Sequence, residues 1–218
     1  MIQERLKELR AQMQERGIDI YIVPTSDFHQ SEYVGEYFKA RKYMTGFTGS
    51  AGTAVITKEE AGLWTDGRYF IQAEKQLEGS TVKLFKMGEE GVPKVEEYVK
   101  DHLTEGSCIG FDGRVMDAKS GEKYAKMAEE KKAALYVKED LVGNIWKDRP
   151  QLPANKVWIL EDAYAGRSMA DKIADVRIQM QKEGADIHIL SSLYDIAWLY
   201  PLSALKESRY SFLSIHRS

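Results

Sequence analysis

Leu9-Arg10-Ala11-Gln12-Met13-Gln14 leads through Gly17 and Asp19 into the apolar run Ile20-Tyr21-Ile22-Val23. At an offset of 167 residues the chain repeats itself: Val176-Arg177-Ile178-Gln179-Met180-Gln181 leads through Gly184 and Asp186 into Ile187-His188-Ile189-Leu190. Arg, Gln, Met, Gln, Gly and Asp coincide without a gap, and so do the isoleucines that follow. The apolar stripes match as well, with Ile2, Leu6, Leu9 and Met13 against Met169, Ile173, Val176 and Met180. Steps of 4, 3 and 4 place each set on one helical face. A glycine just past such a stripe supplies the left-handed conformation that ends a helix. Each copy is therefore predicted to open as helix, glycine stop and buried strand, the mark of an internal duplication.

Working outward from the first copy, strand and helix signals alternate. Thr25-Ser26-Asp27 reads as a turn and cap cluster after the strand. Strands are expected over 53–57 and 62–65 around a Lys-Glu-Glu turn, then over 81–86, 109–112 and 134–137. Helices are expected over 68–76, from Pro93 to about Leu103, over 117–132 and briefly over 141–146. This alternation, with one adjacent strand pair, predicts an α/β fold: a mixed sheet flanked by helices. Two prolines in Asp148-Arg149-Pro150-Gln151-Leu152-Pro153 mark a boundary. The expected organisation is a first domain over 1–140, a linker over 141–155 and a second, incomplete copy over 156–218. In that copy Val157–Leu160 is read as its beginning, and Ser168 with Asp171 as the cap of its helix. Only 51 residues follow from Ser168, too few to supply a full set of sheet partners.

Composition narrows the function classes. The chain has 218 residues, 43% of them hydrophobic and 30% charged, with a net charge of −3. That is the balance of a folded soluble domain, and no strong field of one sign exists to attract nucleic acid or an anionic membrane. No apolar run approaches the ~20 residues that span a bilayer. The mixed-charge start Met-Ile-Gln-Glu-Arg-Leu is unlike a secretory signal. With a single cysteine, Cys108, neither an intramolecular disulfide nor a cysteine zinc cluster can form. The expected location is the cytoplasm, without nucleic-acid or membrane partners.

Several segments carry residue types that can do chemistry. Gly46, Gly49 and Gly52 have G-x-x-G-x-x-G spacing, but a β-branched run follows where a phosphate loop would need Lys-Ser/Thr opening a helix. Tight turns are the better reading. His29 lies in Asp27-Phe28-His29-Gln30-Ser31-Glu32, where neighbouring serine and acid do not by themselves make a triad. Trp64-Thr65-Asp66-Gly67-Arg68-Tyr69 is the densest cluster: Asp66 suits a helix cap, Arg68 a carboxylate partner, and the tryptophan and arginine a contact surface. His29, Trp64, Asp66, Arg68 and Tyr69 are therefore the candidates for an interface or for substrate access. His102, His188 and His216 stand alone, Asp112 and Asp117 are isolated, and no H-x-x-x-H or H-x-x-E-H occurs. No catalytic residue and no metal ligand is expected in this chain.

Five strings resemble aminopeptidase P, the Xaa-Pro aminopeptidase family, in order along the chain: residues 24–33 (PTSDFHQSEY), 50–54 (SAGTA), 63–70 (LWTDGRYF), 145–150 (IWKDRP) and 195–199 (DIAWL). The resemblance implies a creatinase-like N-terminal domain followed by a second copy. It further implies a parent enzyme whose separate C-terminal domain holds two metal ions, commonly manganese, and removes the first residue of peptides with proline second. The front domains of that family serve dimer contacts and access to the active site, so a homodimer is implied, with peptide substrate bound only by the longer enzyme. The match stops near Tyr200, and the serine-rich end over 201–218 departs from the family pattern as an altered terminus would. The competing reading is a stand-alone, non-catalytic creatinase-like module that binds other proteins.

Overall fold

The computed structural model describes residues 2–204, and the expectation of an altered terminus falls largely outside them. The chain divides into two units, Met1–Pro150 and Gln151–Ser218.

In the first unit, helix α1 (Ile2–Glu15) buries Leu6, Leu9 and Met13, each at most 1% exposed. Each such side chain contributes about 1.5–3 kcal/mol by leaving water. The helix ends as its sequence dictates: Gly17 takes φ +65°, and Ile18 N–H returns to the Met13 carbonyl at 2.8 Å. Strand β1 (Ile20–Pro24) follows and runs through the sheet interior. It pairs antiparallel with β2 (Thr53–Thr57), placing Ile22 opposite Val55, and parallel with β5 (Cys108–Phe111), placing Ile20 opposite Ile109. β3 (Ala61–Thr65) pairs antiparallel with β2 and parallel with β4 (Val82–Lys86), while β6 (Ala134–Tyr136) extends the other edge. The order is β4-β3-β2-β1-β5-β6, with β2 alone antiparallel.

Helices cover both faces of this sheet. Tyr21, Val23, Ala54 and Ile56 pack on α1, α2 (Ala40–Thr45), α3 (Phe70–Leu77) and α6 (Leu141–Ile145). Ile20, Ile22, Val55 and Trp64 face α4 (Val95–His102) and α5 (Ala118–Glu130). A strand buried on both faces must be apolar at successive positions, which is why β1 reads Ile-Tyr-Ile-Val without alternation. The expected linker over 141–155 begins too early. Leu141, Val142 and Ile145 are core residues, 0%, 1% and 8% exposed, so residues 141–150 belong to the first unit. The apolar i, i+1, i+4 spacing of α6 packs against α1, which the prolines downstream do not reveal.

The second unit pairs β7 (Val157–Ile159) antiparallel with β8 (Leu202–Ala204). It carries the short helix α7 (Asp162–Ala165), then α8 (Met169–Lys182) and α9 (Leu193–Leu199). Ser168 caps α8 as expected, its Oγ accepting from Asp171 N–H at 3.1 Å, and Gly184 takes φ +63°. The strand expected over 186–190 does not form: Ile187 and Ile189 are 79% and 83% exposed. Among the described residues, no strand pairs with this segment as β2 and β5 pair with β1.

Candidate functional site

Because β1, β3, β4, β5 and β6 run parallel, their C-terminal ends share one edge of the sheet with the start of β2. Loops at such an edge are the usual location of ligand and partner sites in α/β sheets. Here they enclose a cleft of about 490 Å³ whose walls include Thr25, Glu32, Ser50, Met87, Glu96 and Asp117.

The loop after β1 is built by Asp27. Its buried carboxylate accepts from His29 N–H at 2.9 Å and Ser31 N–H at 3.0 Å, which turns the chain and leaves His29 exposed. Gln30 sits at φ +56°, a left-handed conformation costing about 1–2 kcal/mol for a non-glycine residue. Its side chain donates to the Val115 carbonyl at 3.2 Å.

The loop after β3 carries the second set of candidates. Asp66 caps the turn at Gly67–Tyr69 and also holds Arg68 by two contacts of 2.8 Å, from Nε and Nη2. These hydrogen bonds hold the Asp66 carboxyl below the usual carboxylate range and raise the Arg68 guanidinium. Arg68 remains 70% exposed, so the pair adds little to stability and instead pre-orients a solvent-facing cation. Glu32 adds to the field on Arg68, which brings the two loops into one electrostatic neighbourhood. Tyr69 Oη lies 2.7 Å from Ser50 Oγ and joins the glycine segment to the same edge.

Trp64 does not belong to this surface. It is fully buried, stacked on Phe85 at 4.0 Å with ring planes 4° apart, and its Nε1 donates to the Pro93 carbonyl at 2.8 Å. All of β3 is buried, so the tryptophan that composition assigned to a contact surface is core.

Nothing in the sequence marks Arg41 as part of this edge. Only 3% exposed, its guanidinium donates to Thr25 Oγ1 at 2.9 Å, to the Phe47 carbonyl at 2.5 Å and to the Gly49 carbonyl. Burial lowers its pKa to about 10. It thus pins the glycine segment to the start of the Asp27 loop. In sequence it sits in Lys39-Ala40-Arg41-Lys42, which reads as a solvated face. Gly52 completes the segment: a Cβ there would meet the Trp64 carbonyl at 2.8 Å.

The carboxylates and histidines are not arranged for a metal. Among the described residues, no group of three or more His, Cys, Asp or Glu could hold one. Asp112 is engaged by both arms of Arg114 at 3.0 and 2.9 Å, Asp117 caps α5, and His102 Nδ1 lies 2.8 Å from the Tyr98 carbonyl. His216 lies outside the described residues. The dinuclear site implied by the family resemblance does not fit these residues.

Residues 5–138 match the creatinase/prolidase N-terminal domain, and residues 148–202 match a second model of the same description. The chain belongs to the creatinase/prolidase N-terminal domain family. It is similar to aminopeptidase P2 of Arabidopsis thaliana, 41% identical over 93% of this chain and 29% of that protein. It is also similar to a probable Xaa-Pro aminopeptidase P of Pyrenophora teres f. teres, 44% identical over 91% of this chain and 30% of that protein. Among solved structures, the X-prolyl aminopeptidase of Caenorhabditis elegans, described as a cytosolic enzyme with a di-nuclear active site, superposes with a TM-score of 0.82. It is 31% identical over 93% of this chain and 35% of that one. The creatinase/prolidase chain described here thus spans about a third of the length of these relatives. No helix among the described residues is long and apolar enough to cross a membrane.

Proposed function

We propose that this chain is the front, non-catalytic part of an Xaa-Pro aminopeptidase. The carrying observation is one of coverage: relatives about 40% identical match over nine-tenths of this chain but only in their N-terminal third. On this reading the complete enzyme removes the N-terminal residue from peptides with proline second, works in the cytoplasm, and holds two manganese ions in a domain outside this sequence.

The role assigned to this part is homodimer contact and control of access to the active site. The loop edge supports it through Asp66, Arg68, Tyr69 and His29, with Trp64 left in the core. An arginine pre-oriented by its own carboxylate and flanked by a tyrosine loses little entropy on meeting a partner. Two measurements test the proposal. The chain supplied with Mn²⁺ should not cleave an alanyl-prolyl peptide, and clear turnover would sink the non-catalytic assignment. Sedimentation equilibrium should show a dimer that Arg68→Ala weakens at least about tenfold; a monomer at all concentrations would remove the dimer-contact role.

A further inference from the structure

We propose that Arg149 is a latch that couples the point where the chain leaves the first unit to the loop carrying His29 and Glu32. The proposal goes beyond the dimer and access role, and it rests on geometry within the first unit. Arg149 is only 14% exposed in its side chain although it precedes the unit's last residue, Pro150. Its Nη1 donates to Asp140 Oδ2 at 2.5 Å, and its Nε donates to the Tyr37 carbonyl at 2.9 Å. The guanidinium also lies over the Tyr37 ring at 3.8 Å. A planar, two-armed cation is needed to do all three, so lysine cannot substitute.

From Tyr37 the contact continues into the loop. Tyr37 and Phe38 meet edge-on at 5.0 Å, and Phe38 meets Phe28 edge-on at 4.7 Å. Phe28 adjoins His29. Its ring is approached at 5.3 Å by Arg114, which grips Asp112 and reaches Asp140 at 3.6 Å. Asp140 therefore receives both arginines and binds the loop through each. Gly143 shows how tightly this corner is built: a Cβ there would meet Arg149 Nη1 at 2.5 Å and Asp140 Oδ2 at 2.7 Å. Displacement of the chain at Arg149 removes the Tyr37 anchor and frees residues 28–38, of which Gln30, Ser31 and Glu32 line the cleft.

Hydrogen exchange on the full chain tests this. Arg149→Lys should speed exchange of the His29, Gln30, Ser31 and Phe38 amides about tenfold while the β1 and β2 amides keep their protection. Arg114→Lys, at a position 54% exposed, should give a smaller rise in the same amides and guards against a variant that fails to fold. Arg16→Gln breaks the neighbouring pair to Glu139 at 2.8 Å without touching the latch, and should leave these amides unchanged. Unchanged exchange over 28–38 in Arg149→Lys, or a rise shared equally by the sheet, would overturn the proposal.

Discussion

Ile20 and Ile22 are each 1% exposed, whereas Ile187 and Ile189, their counterparts in the repeat, are 79% and 83% exposed. The preceding helices are alike. Each runs for 14 residues and ends at a glycine with φ near +65°. Helix and stop are local: their hydrogen bonds, cap and left-handed glycine all lie within a few residues. A strand is not local. β1 exists because β2 and β5 satisfy its backbone on either side, and among the described residues 186–190 has no such neighbour. The same sequence pattern therefore gives the same helix twice and the same strand once.

Truncating the matched isoleucines should give the largest difference between the two units. Ile22→Ala should cost the first unit about 2–5 kcal/mol, while Ile189→Ala should cost under about 0.5 kcal/mol. Urea denaturation followed by circular dichroism checks both, and equal losses would mean that 186–190 is a packed strand after all. Local signals should instead weigh the same in both units. Asp117→Ala and Ser168→Ala each remove a cap and should each cost about 1 kcal/mol, read from amide exchange in the first turns of α5 and α8.

A smaller effect, confined to the first unit, should appear in alkali. Burial, with help from Glu60, raises the Tyr98 pKa to about 12. The folded state then holds the phenolic proton where the unfolded chain has lost it. That stability is complete below about pH 10 and declines as pH rises towards 12. Tyr98→Phe should flatten the decline in an alkaline denaturation profile; an unchanged slope would show that Tyr98 does not contribute. The least change is expected at Arg68→Ala. Its exposed pair with Asp66 should leave the urea midpoint unchanged, so a clear drop would make Arg68 structural rather than a contact residue.

Legibility follows the same division between local and distant partners. Asp66 and Ser168 are readable as caps because a cap needs only the next three residues. Trp64 was misread because its environment comes from Phe85 and Pro93, 21 and 29 positions away. Arg41 gives no such signal because two of its three acceptors are backbone carbonyls, which leave no mark in composition. The 141–150 segment reads as linker in sequence, yet α6 packs into the core and Arg149 bonds to Asp140.

The residues alone are enough for the two matched helices, their glycine stops and the sheet class. The helices and stops are carried by residues within a turn or two of one another, and the sheet class by the order of such local signals along the chain. Only the tertiary structure decided which of the two apolar runs became a strand, that Trp64 is core while Arg68 faces solvent, and that His29 and Arg68 share one edge of the sheet. Those outcomes depend on partners dozens of residues away, and hydrogen bonding and burial cannot be assigned until such partners are in place.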